Sequence, residues 1–150
     1  MKTYDYTIYT DGCYSRKHDE GAFSYVILDK DGNELKKKAY KISGETNNRA
    51  ELKAIIAALY NIPTNECTVE VYSDSKYALY TICGSWSRNC NTDLFPIADK
   101  IIREKQLKVA YKWVKGHSGV EYNEICDKMC AEVLGYDPRS EYSAFLKTKK

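Results

Sequence analysis

The chain has 150 residues, of which 43% are hydrophobic, so it is long enough for one domain with a core of ordinary size. This composition excludes a fibrous or extensively disordered protein. Lysine and arginine outnumber aspartate and glutamate by 23 to 21, and a net charge of +2 does not by itself indicate a nucleic-acid partner. Any such surface must come from local clustering of charge.

The six cysteines indicate a reducing compartment. They include no CxxC pair, and only two histidines are available to complete a zinc site, so reduced and mostly buried thiols are expected. The first residues, MKTYDYTIYTDG, mix charged and apolar groups unlike a signal peptide, and no stretch has the length and apolarity of a membrane span. We therefore expect a cytoplasmic protein that does not enter a membrane.

Five strands are predicted. Tight alternation of residue types from Tyr4 to Asp11 predicts the first strand. Residues 21–42, divided by the turn signal Asp31-Gly32, predict two more strands in an antiparallel meander. The segments TVEVYSD at 68–74 and LKVAYKWVKG at 107–116 predict the fourth and fifth.

Four helices are predicted between and after these strands. Three lie at 47–62, 75–84 and 93–105, and the fourth runs from residue 120 to 134, where Gly135 ends it. The order predicts an α/β fold, a mixed five-stranded sheet with three antiparallel strands and two parallel additions, flanked by helices. We expect the domain to span residues 1–135 and a C-terminal tail to follow at 136–150.

Two aspartates occupy matching positions in the predicted sheet. Asp11 ends the first predicted strand and Asp74 ends the fourth, at the sheet edge where α/β proteins bind ligands. Each also has a purely structural explanation, because Asp-Gly is a common turn and Asp74-Ser75 is a good helix N-cap. The pattern alone does not decide between the two explanations.

Two further carboxylates lie on predicted helices. Glu51 is about 20° from Ile62 around the helix axis and should point toward the sheet. A first-turn glutamate favoured by the helix dipole need not do so. Asp127 borders the apolar face of the last helix, where a solvated carboxylate is the alternative. If the four converge they need divalent cations, and oxygen ligands suit Mg²⁺ or Mn²⁺ rather than zinc.

Four segments in order resemble motifs of the type 1 ribonuclease H family. They are YTDG at 9–12, TNNRAEL at 46–52, YSDSKY at 72–77, and WVKGHSG followed by NEICD within 113–127. The resemblance covers roughly residues 4–134 and implies a ribonuclease H-like fold. It also implies an endonuclease that uses two Mg²⁺ ions, or Mn²⁺ in their place, to hydrolyse the RNA strand of RNA:DNA hybrids and leave 5′-phosphate and 3′-hydroxyl ends.

The resemblance assigns roles residue by residue. The metal-binding carboxylates would be Asp11, Glu51, Asp74 and Asp127, and His117 would assist proton transfer or product departure. The substrate-binding residues would be Gly12, Thr46, Asn47, Asn48, Lys76, Trp86 and Asn123, with Arg88 and Lys112 as further candidate contacts. Arg49 could touch a phosphate or pair with a local acid.

The sequence departs from the family pattern in two places. Residues 13–21, CYSRKHDEG, stand where many members have a glycine- and proline-rich loop. The interval between Asp74 and His117 is too short for the extra basic helix of longer members, so we expect a compact form that binds hybrids weakly. We expect a monomer, with an accessory hybrid-binding protein or Lys147, Lys149 and Lys150 of the tail supplying further contacts.

Two other functions stay open at this point. The same acidic site could cut a different polynucleotide, as in integrases or junction resolvases of related fold. The chain could also be a hybrid-binding module without catalysis. The segments TNNRAEL and HSG disfavour the first alternative, and the presence of all four carboxylates disfavours the second.

Overall fold

The structure, a computed structural model, describes residues 3–116 and 119–136. Its strands are β1 (Tyr6–Ser15), β2 (Glu20–Asp29), β3 (Glu34–Ser43), β4 (Thr68–Ser73) and β5 (Lys108–Trp113). Its helices are α1 (Asn47–Tyr60), α2 (Lys76–Ile82), α3 (Phe95–Lys105) and α4 (Glu121–Leu134). The predicted order of strands and helices is confirmed.

The five strands form one sheet in the order β3-β2-β1-β4-β5. β1, β2 and β3 pair antiparallel, whereas β4 is parallel to β1 and β5 is parallel to β4. The mixed sheet predicted from the sequence is thus confirmed. The parallel arrangement brings the C-terminal ends of β1 and β4 to the same edge of the sheet.

The first strand ends later than predicted. The alternating pattern placed its end at Asp11, but β1 continues to Ser15 because residues 11–15 stay paired with residues 20–24 of β2. Pairing with β4 stops earlier, where Tyr9 lies opposite Tyr72. Asp11 is therefore not in a turn, and it lies just past the point where β1 separates from β4.

Helices cover both faces of the sheet. α1, α2 and α3 enclose the larger core on one face, where Leu52 and Ile55 of α1 pack with Ile8 and Val71 of the sheet. α4 covers β1, β2 and β3 on the opposite face, where Cys126 packs against β2. All six cysteines are free and four of them are buried, as predicted.

The end of α4 lies where the sequence predicts it. Gly135 adopts the left-handed conformation, φ 84°, that glycine tolerates at a helix C-terminus. Tyr136, the first residue of the predicted tail, donates its hydroxyl to Glu20 at 2.9 Å. The remainder of the predicted tail, with Lys147, Lys149 and Lys150, lies outside the described residues, and the division into domain and tail stays a prediction.

No helix in the described ranges is long and apolar enough to cross a bilayer.

Candidate active site

Three of the four predicted carboxylates come together at the edge of the sheet. Asp11, Glu51 and Asp74 each place a carboxylate oxygen within 4.8 Å of the others. Asp11 is 1% exposed and Glu51 7% exposed, while Asp74 is half-buried and opens the cluster toward solvent. We call these three residues the acidic trio. Like charges this close and this poorly hydrated repel one another unless a cation lies between them.

Glu51 points inward because the first turn of α1 rests on β1. Its Oε1 accepts a hydrogen bond from the Gly12 amide at 3.1 Å, and its Oε2 accepts one from the Ser73 hydroxyl at 3.5 Å. Both oxygens are therefore held by residues adjacent to the two aspartates. The inward direction predicted from the helical pattern is confirmed.

Gly12 allows this close approach. A Cβ atom at residue 12 would lie 2.5 Å from the backbone carbonyl carbon of Ala50 and 2.5 Å from the backbone nitrogen of Glu51. Any larger residue would push α1 off the strand. Glycine after Asp11 is thus required for helix packing, and not for a turn.

Asp74 is held by the last residue of β5 and by the segment that follows this strand. Trp113 donates its indole Nε1 to the backbone carbonyl of Asp74 at 3.0 Å, and Val114 donates its amide to the carbonyl of Ser73 at 3.0 Å. A Cβ atom at Gly116 would lie 2.9 Å from the Oδ2 of Asp74. The N-cap of α2 is Ser75, whose hydroxyl accepts from the Ala78 amide at 3.1 Å, so the Asp74 carboxylate is not needed for capping.

Asp127 is not part of the acidic trio. It is half-buried on α4, between two cysteines that fasten this helix to the sheet. Ser24 donates to the backbone carbonyl of Cys126 at 2.7 Å, and Cys130 donates its thiol to the carbonyl of Asp11 at 3.9 Å. Burial raises the pKa of the Cys126 thiol, and the negative charge of Asp11 raises it further. The helix that carries Asp127 therefore lies within electrostatic reach of the trio.

The donor set of the trio is made only of carboxylate oxygens. Such sets bind hard divalent cations, Mg²⁺ or Mn²⁺, and do not suit zinc, which prefers histidine and cysteine. The partly open position of Asp74 leaves room for a substrate oxygen beside a bound ion. This chemistry fits metal-assisted hydrolysis of a phosphodiester.

Comparison with known proteins identifies the family. The model of the family described as RNase H matches residues 3–134. The chain belongs to the ribonuclease H family. It is accordingly an enzyme, a metal-dependent endoribonuclease, as the sequence motifs predict.

Individual members of the family agree with this assignment. The Ribonuclease H of Trichodesmium erythraeum is 33% identical over 145 residues, which are 87% of this chain and 89% of that protein. The Ribonuclease HI of Synechocystis sp. is 32% identical over 147 residues, which are 88% and 89% of the two chains. The crystal structure of RNase H1 from the archaeon Halobacterium salinarum NRC-1 matches 87% of this chain and 97% of its own with a TM-score of 0.71 and 25% identity.

The ribonuclease H motif TNNRAEL begins α1 next to the trio. Thr46 is the N-cap residue, and its hydroxyl accepts from the Arg49 amide at 3.2 Å. Asn47 and Asn48 follow in the first turn, and both are exposed to solvent. The three predicted substrate-binding residues of this motif thus occupy the surface beside the carboxylates.

The other predicted substrate-binding residues have varied surroundings. Lys76 begins α2 and places its Nζ 4.4 Å from the centre of the Trp113 ring. Trp86 is 47% exposed and lies 5.2 Å from the Tyr80 ring. Asn123 is 4% exposed, and Gly12 uses its amide on Glu51, so neither offers much surface to a substrate in this structure.

Three basic candidates make contacts within the fold. Arg49 forms ion pairs with Glu45 and Asp93. Of the two possibilities predicted for Arg49, the structure therefore shows pairing with local acids. Arg88 donates to the carbonyls of Thr81 and Ile82 and forms a two-pronged ion pair with Asp99, with distances of 2.7 and 3.0 Å. Lys112 lies 3.6 Å from Glu70. The guanidinium of Arg88 therefore stabilises the end of α2, and its candidate substrate contact stays a prediction.

His117 lies outside the described residues, as does Ser118, so its predicted role stays a prediction. Residues 83–94 join α2 to α3 without another helix in this fully described interval. The expectation of a compact form rests on that connection and stays a prediction as well.

Sequence analysis missed two residues that organise the trio. Ser73 is fully buried and links Glu51 to the start of α2, because its hydroxyl also accepts from the Ser75 amide at 3.0 Å. The alternation of β4, with buried Val69 and Val71, puts Ser73 on the inner face and could have revealed it. Gly116 gave no comparable signal, because its contact with Asp74 depends on the path of the chain after β5.

Proposed function

We propose that the protein hydrolyses the RNA strand of RNA:DNA hybrids, with Asp11, Glu51, Asp74 and Asp127 holding two Mg²⁺ ions and with products that carry 5′-phosphate and 3′-hydroxyl ends. The observation that carries the proposal is the acidic trio, assembled from the family motifs at one edge of the sheet. Bound ions of this kind activate the attacking water and stabilise the leaving 3′ oxygen. Mn²⁺ has the same preference for oxygen ligands and is the expected alternative.

The chain's own residues fix the ligand geometry. The Gly12 amide and the Ser73 hydroxyl hold the two oxygens of Glu51, the Trp113 indole holds the backbone carbonyl of Asp74, and the absence of a Cβ atom at Gly116 leaves room for the Asp74 carboxylate. Asp127 lies on a helix that is fastened to the carbonyl of Asp11 through Cys130, and it completes the ligand set in this proposal. His117 would move a proton or assist product departure, which matches the pKa range of imidazole.

Discrimination between RNA and DNA depends on the first turn of α1. A 2′-hydroxyl is what distinguishes the two backbones, and amide side chains both donate and accept hydrogen bonds. Asn47 and Asn48 are exposed next to Glu51, so they are suited to read the minor groove of a hybrid at the cleavage point. Lys76, which is exposed to solvent at the start of α2, would contact a phosphate.

The decisive experiment compares substrates in the presence of Mg²⁺. The purified protein is incubated with matched RNA:DNA hybrid, double-stranded DNA, single-stranded RNA and a four-way DNA junction, and the product ends are mapped. We expect cleavage of the hybrid alone. Asp11→Asn should lower the single-turnover rate by more than about a hundredfold, since loss of groups outside the ligand shell already costs about 10- to 100-fold.

A matched variant and two other outcomes complete the test. Asp31→Asn removes the same charge from the exposed turn between β2 and β3 and should cleave at the wild-type rate. Cutting of the DNA substrates would support a nuclease of the integrase or resolvase kind. Binding of hybrid with no cleavage in Mg²⁺ or Mn²⁺ would support a binding module and reject the proposed activity.

A further inference from the structure

Ser24 is a polar residue that lies fully buried between the sheet and α4. It is in the middle of β2 and has none of its surface exposed. Ala22 and Val26, two residues away on either side, pack against cysteines of α4, so the Ser24 side chain points toward the same helix. Burying a hydroxyl costs free energy unless the group is hydrogen-bonded. The partners of Ser24 therefore explain why the fold accepts it there.

The Ser24 hydroxyl makes two contacts with α4. It donates to the backbone carbonyl of Cys126 at 2.7 Å and accepts from the thiol of Cys130 at 3.4 Å. The thiols of Cys126 and Cys130 also donate to backbone carbonyls of β1, at 3.4 and 3.9 Å, but a thiol is a weak donor. The bond that Ser24 donates is therefore the strongest of these four polar contacts between α4 and the sheet.

The carbonyl that Ser24 binds belongs to the same peptide unit as the nitrogen of Asp127. A peptide unit is planar, so a hydrogen bond to the Cys126 oxygen also fixes the nitrogen and the Cα atom of Asp127. This carbonyl lies inside α4 and accepts a helical hydrogen bond from the amide of residue 130 as well. The bond from Ser24 is thus an additional one, and it ties the turn of α4 that carries Asp127 to β2.

Ser24 is also the direct neighbour of Asp11. The two residues lie opposite each other in the antiparallel pairing of β1 with β2. Side chains that face each other in this way project from the same side of the sheet, with Cβ atoms about 5 Å apart. One buried serine therefore links the strand position of Asp11 to the helix position of Asp127.

Attachment of α4 for stability alone is the competing explanation. A buried hydrogen bond contributes to the free energy of unfolding wherever it lies. However, Cys126 already packs with Val26 and Leu28, and such apolar contacts are non-directional. A hydrogen bond requires a defined distance and angle, so it fixes where the helix lies on the sheet. The two explanations differ in whether metal binding changes when the hydroxyl is removed.

We infer that Ser24 is a positioning residue, which holds Asp127 at the distance from Asp11 that binding of a divalent cation requires. The inference rests on the proposed function for the role of Asp127 as a metal ligand. Mg²⁺ requires near-ideal octahedral geometry, with oxygen ligands at about 2.0–2.1 Å, so a small displacement of one carboxylate weakens its binding. Ser24 acts through the peptide unit of Asp127 and does not itself bind the ion.

The test measures Mn²⁺ affinity by titration calorimetry in the absence of nucleic acid. Wild type is compared with Ser24→Ala, with Asp127→Asn and with the double variant. Loss of a group that orients a metal ligand costs about 10- to 100-fold in metal affinity, so Ser24→Ala should bind Mn²⁺ at least about tenfold more weakly. Because the serine acts through Asp127, adding Ser24→Ala to Asp127→Asn should change the affinity by less than about twofold.

Ser15→Ala is the matched control. Ser15 is a buried serine of β1, 5% exposed, whose hydroxyl accepts from the His18 amide at 3.3 Å. This variant should bind Mn²⁺ with wild-type affinity. In EDTA both serine variants should unfold within about 4 °C of wild type, since each loses no more than the contribution of ordinary hydrogen bonds.

The outcomes separate this inference from the proposed function. A tenfold loss of affinity in Ser24→Ala that disappears in the Asp127→Asn background supports the inference. Wild-type affinity in Ser24→Ala, with weaker binding by Asp127→Asn, overturns the inference and leaves Asp127 as a ligand. An equal loss with and without the Asp127 carboxylate, or a large fall in the unfolding temperature in EDTA, shows a general role in the fold and overturns it as well. Wild-type affinity in Asp127→Asn rejects the ligand set of the proposed function, and the inference with it.

Discussion

Gly116 lies beside Asp74 of the acidic trio, in the segment that follows β5. A Cβ atom there would come within 2.9 Å of the Oδ2 of Asp74, and the backbone angles of Gly116 are not of the kind that exclude alanine. Gly116→Ala should therefore move the Asp74 carboxylate while leaving the fold intact. We expect at least a tenfold loss of Mn²⁺ affinity, about 1.4 kcal/mol, measured by titration calorimetry.

The unfolding temperature in EDTA is the control for Gly116→Ala. The atom in contact is the end of a side chain that can rotate, so the metal-free variant should unfold within about 2 °C of wild type, which corresponds to less than about 1 kcal/mol. Wild-type Mn²⁺ affinity in the variant would show that Asp74 does not bind the ion. A large drop in unfolding temperature would show that Gly116 serves the fold instead.

At the scale of secondary structure, Arg49 joins α1 to the connection before α3. Its guanidinium donates to both oxygens of Asp93, at 2.9 and 2.8 Å, and to Asn91 at 3.3 Å, while its Nε donates to Glu45. The planar guanidinium of Arg49 thus connects two segments that are 44 residues apart in sequence. The first turn of α1, with Thr46 and its asparagines, is oriented partly by this contact.

Arg49→Lys should weaken this contact between α1 and the connection before α3. Lysine keeps the charge but cannot make the same set of directed hydrogen bonds. Because Asp93 is 63% exposed, we expect only about 1 kcal/mol of lost stability, seen as a lower midpoint of urea unfolding. Arg103→Lys, an exposed arginine in the last turn of α3, is the matched control. Equal midpoints for both variants would contradict the role given to Arg49.

The stability contributed by the Arg49–Asp93 ion pair depends on pH. Hydrogen bonding to Arg49 lowers the pKa of Asp93 from its usual 3.8 to about 2. A depressed carboxyl pKa contributes stability above the unfolded-state value and loses it as the pH falls toward the folded-state value. The difference in the free energy of unfolding between wild type and Arg49→Lys should therefore be constant above pH 5. It should become smaller between about pH 4 and 2.

At the scale of the whole molecule, local patterns predicted the elements but not their long-range contacts. Helical periodicity was sufficient to direct Glu51 inward, because that direction depends only on its angle to the buried side of α1. The continuation of β1 to Ser15 depends on pairing with β2 and leaves no signal within the strand itself. The partners of Arg49 and the contact of Gly116 with Asp74 depend likewise on how distant segments meet.

The fold also holds the acidic trio together at a cost to stability. Two of its members are almost fully buried, and the oxygens of all three lie within 4.8 Å of one another. Without a cation their repulsion opposes folding, so Asp11→Asn should be more stable than wild type in EDTA by about 1–2 kcal/mol. Guanidinium unfolding followed by circular dichroism measures this difference, and Asp31→Asn, in an exposed turn, should show none.

Magnesium should reverse the order of stability, so that wild type becomes more stable than Asp11→Asn. An ion that binds only the folded protein stabilises it by about 2.7 kcal/mol when present at a hundred times its Kd. Wild type should gain this amount, whereas Asp11→Asn, which has lost one ligand, should gain much less. If the variant were no more stable in EDTA and gained as much as wild type from Mg²⁺, Asp11 would be neither a source of repulsion nor a ligand. The crossing of the two stability curves as Mg²⁺ is added is therefore the signature of a carboxylate kept for metal binding at the expense of the fold.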